Sequence, residues 1–443
     1  MPYLDLAVAG GLLATLLAAA LRRRRSTALV WALGAVTAAT AAVALLWEGP
    51  RWQLLAILAC AVPVTAYAVG VRRMRSAGAR RTIGILLAAV VAVPAAVAWG
   101  LPPVLVPAPR GEHGVGVATT VWVDATRDAR GGGSAEGERS IPATIWYPAA
   151  EVGGTRDYLP DRERADALTG ALAAQFGLPA IVLDGLGRAR AHASWEAPAE
   201  TGSFPVVVAS PGASGSRWLM RSWAEEVASH GAVVIVVDHP YDSAYAELAD
   251  GGEARGETRA TGDDARDQSV ADRAAAVRAA DLRAVADAMV AGDPLPALVA
   301  ADPTRLVAAG HSLGGAAAVE AARTDERFRG VVDIDGMPRS PQGSVLARPA
   351  VFLVAGDADA NPAYDDAVAR LLDADGARVA VDGVAHLGFA DTGLALAPVP
   401  GVTGARGSHG ARIAAQATVL VLDAVADRRA LDRSALAELG RVG

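Results

Sequence analysis

Gly310-His311-Ser312-Leu313-Gly314-Gly315 sets a serine between glycines two positions before and two after it. A short apolar run, Arg305–Ala309, precedes it, and an alanine-rich run, Ala316–Arg323, follows. Strand, sharp turn and helix in that order present a serine hydroxyl for nucleophilic attack, and glycines at those spacings remove the Cβ atoms that would clash in so tight a turn. The flanking runs carry the weight, because the bare glycine–serine pattern is short enough to arise by chance.

A serine hydroxyl needs a base. Of the seven histidines, His311 sits inside the turn itself, and His113, His192, His230 and His239 precede the serine. On a strand-to-helix turn of this kind the acid and then the histidine follow the nucleophile, which leaves His386 and His409. His386 comes directly after the apolar run Ala377–Val381 and is the expected base; His409, in Gly407-Ser408-His409-Gly410 ahead of the last helix, is expected at the surface. Two aspartates compete for the acid that orients the imidazole: Asp335, after the run Gly330–Ile334, and Asp357, after the run Ala350–Ala355. Asp333 and Asp359 read as turn or surface residues. Two backbone N–H groups are needed for the oxyanion. Leu313, next to the serine, supplies one, and the loop Ser210-Pro211-Gly212-Ala213-Ser214-Gly215 supplies the other through Ala213.

The elements that must position these residues are legible in periodicity. Val115–Val123 and Ile141–Tyr147 read as strands around a glycine-rich turn. Strand and helix patterns then alternate: strand Phe204–Ser210, helix Arg217–His230, strand Ala232–Asp238, helix Val270–Met289, the serine strand and its helix, strands Gly330–Ile334 and Ala350–Ala355, helix Ala363–Leu372, strand Ala377–Val381 and helix Ala411–Val425. Continuous β-branched strands between helices predict a mostly parallel sheet covered on both faces. The fold class is therefore α/β, and the serine motif narrows it to the α/β-hydrolase fold. Residues 160–200 read as a helical insertion, a possible cap, and 249–268 as a polar loop.

Residues 1–107 are different. Four apolar runs, Tyr3–Leu21, Thr27–Trp47, Trp52–Val71 and Thr82–Leu101, are each about 20 residues long, enough as helix to cross a ~30 Å hydrocarbon core. The first lacks a basic leading region and is followed by four arginines, so it reads as a span and not as a cleaved signal peptide. Arg22–Arg25 and the arginines between Arg72 and Arg81 fall in two loops that basic charge would keep in the cytoplasm, while Trp47, Trp52 and Trp99 stand at run ends. Everything beyond the joint Leu101–Pro109 is then expected on the outer face, as a unit spanning 108–443. Residues 1–107 hold ten arginines against Asp5 and Glu48, leaving 31 basic and 46 acidic residues for the remainder. That acidic balance argues against a nucleic-acid partner. There is no lysine, hence no G-x-x-x-x-G-K phosphate loop, and no cofactor is expected. The one cysteine, Cys60, lies in the third apolar run, and no His/Asp/Glu cluster has metal-ligand spacing.

The outer unit resembles the plasma-type platelet-activating factor acetylhydrolases and their bacterial relatives through most of 108–400. The resemblance rests on His113-Gly114-Val115-Gly116, Ile145-Trp146-Tyr147-Pro148, residues 204–212 (FPVVVASPG), residues 228–244, GHSLGGAAA, residues 332–336 (VDIDG) and residues 385–391 (AHLGFAD). It implies a serine ester hydrolase with Ser312, Asp335 and His386 as its triad, acting on lipid or short-acyl esters. Pro211-Gly212 stands where that family has His-Gly, and Ser210-Pro211-Gly212 with Gly356-Asp357-Ala358-Asp359 is similar to bacterial cutinases and polyester hydrolases, whose acid maps to Asp357. A cell-envelope acyltransferase using the same acyl-enzyme is a further alternative. The four spans lie outside the resemblance.

Overall fold

The computed structural model describes residues 3–20, 26–47, 51–101, 104–132, 137–150, 152–257, 264–339, 345–356, 361–373, 375–396 and 401–443. The chain folds as two units, Met1–Pro103 and Val104–Gly443. The division falls within the proline-rich joint, with Val104 and Val106 buried in a cluster of the second unit.

The first unit is all helix: α1 (Tyr3–Ala20), α2 (Ser26–Trp47), α3 (Trp52–Ala59), α4 (Ala61–Gly70) and α5 (Ala77–Gly100). Four helical segments, Tyr3–Ala20, Thr27–Trp47, Trp52–Arg73 and Ala77–Gly100, are long and apolar enough to cross a membrane. The third is interrupted at Cys60, since Pro63 has no N–H to offer the carbonyl of Ala59. The fourth starts earlier than its apolar run, because Ser76 Oγ caps it by accepting the Ala79 N–H at 3.2 Å. Arg80 and Arg81 therefore lie on its first turns and not in a loop. Arg51, between the second and third apolar runs, turns inward and meets Asp5 at 2.7 Å, both side chains nearly sealed from solvent. The basic loop Arg22–Arg25 is outside the described residues.

In the second unit the strands of the main sheet are β1 (Gly114–Asp124), β2 (Arg139–Ala149), β3 (Ser194–Trp195), β4 (Phe204–Ser210), β5 (Val233–Val237), β6 (Ala301–His311), β7 (Phe328–Ile334), β8 (Ala350–Ala355), β9 (Gly376–Val381) and β10 (Arg441–Val442). Their spatial order is β10-β9-β8-β7-β6-β4-β5-β2-β1-β3. From β5 to β9 every neighbouring pair is parallel; β1 with β2, β2 with β5, and β9 with β10 are antiparallel. This is the mostly parallel sheet that the alternation predicts. Alternate residues serve opposite faces. Val207 and Ala209 of β4 with Val307 and Ala309 of β6 pack under α7 (Arg221–Ser229) and α11 (Gly407–Asp427). Val206, Val208, Leu306 and Ala308 pack under α8 (Asp264–Ala291), α9 (Leu313–Thr324) and α10 (Pro362–Leu371).

The insertion is helical only in its first half. α6 (Arg162–Phe176), capped by Asp161 through the Arg164 N–H, gives way to short turns and to Arg190–Ala191 and β3. β3 joins the sheet edge in parallel beside β1. Tyr158 and Leu159, just before the insertion, and Leu168 and Leu172 within it are buried against Trp218 and Tyr245. Of the polar loop 249–268, residues 258–263 are outside the described residues, and Glu253–Arg255 pairs with Tyr245–Glu247 as a small antiparallel ribbon.

Candidate active site

Ser312 sits where β6 ends and α9 begins, with φ 56° and ψ −123°. A non-glycine residue in that region is uncommon and marks a constrained turn. Packing enforces it. A Cβ on Gly310 would lie 2.2 Å from the Gly314 carbonyl oxygen, and one on Gly314 would lie 2.1 Å from that of Ser210. The Ser312 N–H donates to the Ile334 carbonyl of the neighbouring β7 at 2.8 Å, tying the turn to the strand that precedes Asp335.

Asp335 follows β7 with φ 55°. Its Oδ1 accepts the Ala355 N–H at 2.8 Å, and its Oδ2 lies 2.6 Å from His386 Nδ1. His386, on the 3₁₀ turn His386–Phe389 after β9, places Nε2 3.0 Å from Ser312 Oγ. Ser312, His386 and Asp335 thus form one hydrogen-bonded series, with the imidazole nearly half exposed and the carboxylate largely covered. Burial opposes the charge on Asp335, but the His386 hydrogen bond, the Ala355 N–H and the nearby imidazoles outweigh it and hold the carboxyl below its usual range. Asp357, the rival acid, and Asp359 lie outside the described residues.

Ala213 is exposed on the loop after β4, and Leu313 begins α9. Among the described residues neither N–H has an acceptor. Gly212 brings the loop against Ser312: a Cβ there would stand 3.5 Å from Ser312 Cβ and 3.1 Å from His311 Nδ1. The insertion reaches the same loop, with Gln175 Nε2 donating to Ser214 Oγ at 2.9 Å.

Several supporting residues escape sequence reasoning. His311 does more than occupy the turn: its ring lies over that of His386 at 4.7 Å between centroids, and its Nε2 is 3.0 Å from the His386 carbonyl oxygen. Burial, then the neighbouring His386, push its imidazole down to about 4, so it is neutral and donates from Nε2. Asp333 is not the turn or surface residue expected; it is fully buried, and burial pushes its carboxyl well up, with the Gly336 N–H opposing and the Asp335 charge adding to the shift. Its Oδ1 accepts the Gly336 N–H at 2.7 Å, closing the turn that carries Asp335. Asp391, also fully buried, accepts from Tyr158, just before the insertion, at 2.5 Å and from the Ser222 N–H and hydroxyl. Its place five residues after His386 is the one sequence hint that it anchors the base loop.

The other histidines go elsewhere. His113 Nδ1 lies 2.8 Å from Glu200, His192 Nε2 lies 3.0 Å from the Val106 carbonyl oxygen, and His230 lies 3.6 Å from Glu226. His239 is buried beside Asp281 and Ser210. His409 is exposed, as expected, but in the first turn of α11 and not ahead of it. Among the described residues no group of His, Cys, Asp and Glu is arranged to hold a metal ion.

Residues 101–261 match the family model described as platelet-activating factor acetylhydrolase, isoform II. That stretch contains β1 to β5 and the loop of Ala213, and stops short of Ser312, Asp335 and His386. Among solved structures the chain is similar to a ferulic acid esterase from Streptomyces cinnamoneus, with 28% identity, a TM-score of 0.57, and coverage of 74% of this chain and 94% of that one. The chain thus resembles the platelet-activating factor acetylhydrolases, within an α/β-hydrolase fold shared with an esterase, and both likenesses support a hydrolase acting on carboxylic esters.

Proposed function

We propose that the Val104–Gly443 unit is a serine hydrolase of lipid or short-acyl carboxylic esters, held at a membrane by the helices that precede it. The carrying observation is the series Ser312 Oγ to His386 Nε2 at 3.0 Å and His386 Nδ1 to Asp335 Oδ2 at 2.6 Å. His386 takes the hydroxyl proton as Ser312 Oγ attacks the ester carbonyl, and Asp335 holds the imidazole in the required tautomer and offsets its positive charge. The tetrahedral oxyanion is received by the N–H groups of Ala213 and Leu313. His386 then protonates the departing alcohol, and water, activated by the same imidazole, cleaves the Ser312 ester and regenerates the hydroxyl.

The substrate divides two readings. A membrane tether favours lipid or short-acyl esters, whereas Ser210-Pro211-Gly212 and the likeness to a ferulic acid esterase favour a cutinase-like or aryl-acid ester. Turnover of p-nitrophenyl esters of graded acyl length, a short-acyl phospholipid and a feruloyl ester, measured on one preparation, ranks them. An added lipid or sugar acceptor that diverts the acyl group from water would identify an acyltransferase instead. Ser312→Ala should abolish turnover of p-nitrophenyl acetate and labelling by a fluorophosphonate; parent-level turnover in that variant would remove Ser312 as the nucleophile. The basic loops of the first unit support placing the catalytic unit on the extracytoplasmic side.

A further inference from the structure

Beneath the loop that carries Ala213 lies a second series of serine, histidine and aspartate. Ser210 Oγ is 2.8 Å from His239 Nε2, and His239 Nδ1 is 2.7 Å from Asp281 Oδ2. All three side chains are fully buried, so no substrate reaches Ser210 and the series is not a second catalytic centre. Its direction follows from protonation. Burial works against the Asp281 charge, but Arg139 and His239 hold it as a carboxylate, so His239 Nδ1 donates to it. Burial, then the Arg278 cation, push the His239 imidazole down to about 4; it is neutral, and Nε2 accepts the Ser210 hydroxyl proton. The lone pairs of Ser210 Oγ are then free to accept from Arg278 Nη1 at 3.0 Å.

Arg278, on α8, is itself fully buried. Its other donors go to the loop, Nη1 to the Pro211 carbonyl oxygen at 2.6 Å and Nη2 to that of Gly212 at 3.3 Å, while Nε donates to Asp242, beyond the end of β5, at 2.6 Å. The Gly215 N–H donates to the same Gly212 oxygen at 3.1 Å. In a planar trans peptide the C=O and the following N–H point in opposite directions. Drawing the Gly212 carbonyl toward α8 therefore turns the Ala213 N–H the other way, out of the core, on a loop already packed against Ser312.

We propose that Arg278 is the positioning residue of the oxyanion hole: it sets the plane of the Gly212–Ala213 peptide, and the Ser210–His239–Asp281 series with Asp242 holds the guanidinium in place. The inference rests on Ser312 being the nucleophile. A preset donor acts on the charge that develops in the transition state more than on the bound ester. Loosening it lowers kcat and leaves KM nearly alone.

The full-length protein in detergent provides the test, with p-nitrophenyl acetate as substrate and a trifluoromethyl ketone as an analogue of the tetrahedral intermediate. Arg278→Lys keeps the charge but cannot reach Asp242, Ser210 and two carbonyls together. It should lower kcat on the order of 10- to 100-fold, with KM within about twofold and ketone affinity falling in step with kcat/KM. Asp242→Asn leaves the arginine present but less firmly held, and should show a smaller loss of the same pattern; it decides the matter if Arg278→Lys does not fold. Active sites are counted by fluorophosphonate end-point titration. A folded variant with parent kcat and ketone affinity per titrated site overturns the inference. Parent-level turnover in Ser312→Ala would instead overturn the nucleophile on which it rests, so the two failures are told apart.

Discussion

At the scale of single residues, an ordinary alcohol becomes a nucleophile because its proton has a place to go, and the place is kept ready by an anion behind it. In the proposed mechanism Asp335 is that anion, with both oxygens engaged, one by His386 Nδ1 and one by the Ala355 N–H. Asp335→Asn leaves the shape and removes the charge, favouring the imidazole tautomer with its proton on the wrong nitrogen. It should lower kcat by roughly 10³- to 10⁴-fold with KM little altered, measured on p-nitrophenyl acetate. Asp391 behaves oppositely. Burial, which Ser222 and Tyr158 only partly offset, pushes its carboxyl up to about 6 from 3.8. The folded protein then holds that proton more tightly than the unfolded chain, so stability from this group is present at low pH and is lost as pH rises from about 4 to about 6. The shift from 3.8 to about 6 corresponds to about 3 kcal/mol. Denaturant melts of the parent and Asp391→Asn from about pH 3 to about pH 7 should show the parent's stability falling relative to the variant by about that amount. A constant difference between the two would refute the assignment.

At the scale of elements, close approach between backbones sets what each glycine position tolerates. A Cβ at Gly314 meets two carbonyl oxygens of the Ala213 loop, Ser210 at 2.1 Å and Pro211 at 2.5 Å, neither of which can rotate away. Gly314→Ala should destabilise the protein by about 1–3 kcal/mol through overpacking. At Gly170, inside α6, an added Cβ would have nothing within 4 Å. Gly170→Ala should therefore stabilise the protein, by up to about 1 kcal/mol. Thermal melts of the two variants should move to opposite sides of the parent. Such contacts also explain how much could be read from the sequence. Phe204–Ser210 and Ala350–Ala355 are strands over the residues expected, because continuous β-branched runs need no partner to be recognised. Ser194–Trp195 and Arg441–Val442 leave no local pattern, since two residues become strand only by pairing with an edge that folds first. The α9 helix starts at Leu313 and not at Ala316, because Gly314 and Gly315, poor helix formers in isolation, are held helical by the strands they touch. The order of Ser312, Asp335 and His386 is a property of the chain and was legible. The burial of Asp333, His239 and Arg278 belongs to the folded interior, and residue type alone pointed the other way.

At the scale of the whole molecule, the distribution of charge is as informative as the fold. The first 107 residues carry ten arginines and two acids, while the rest of the chain carries 31 basic and 46 acidic residues. The arginines cluster at Arg22–Arg25, between the first and second membrane-length segments, and from Arg72 to Arg81, at the junction of the third and fourth. Under the proposed reading, cytoplasmic retention of these basic segments predicts that the Val104–Gly443 unit lies on the opposite side. Cys60 is the chain's one cysteine and is buried among the helices, so the parent gives a quiet background for thiol labelling. Two single substitutions report the two sides. Phe176→Cys introduces a thiol at an exposed position of the catalytic unit, and Arg75→Cys places one at an exposed position in the turn before α5. In intact cells a membrane-impermeant maleimide should label Phe176→Cys and spare Arg75→Cys, and permeabilisation should expose both. The reverse pattern would invert the topology and place ester hydrolysis in the cytoplasm, where Ser312 would meet a different set of esters with unchanged chemistry.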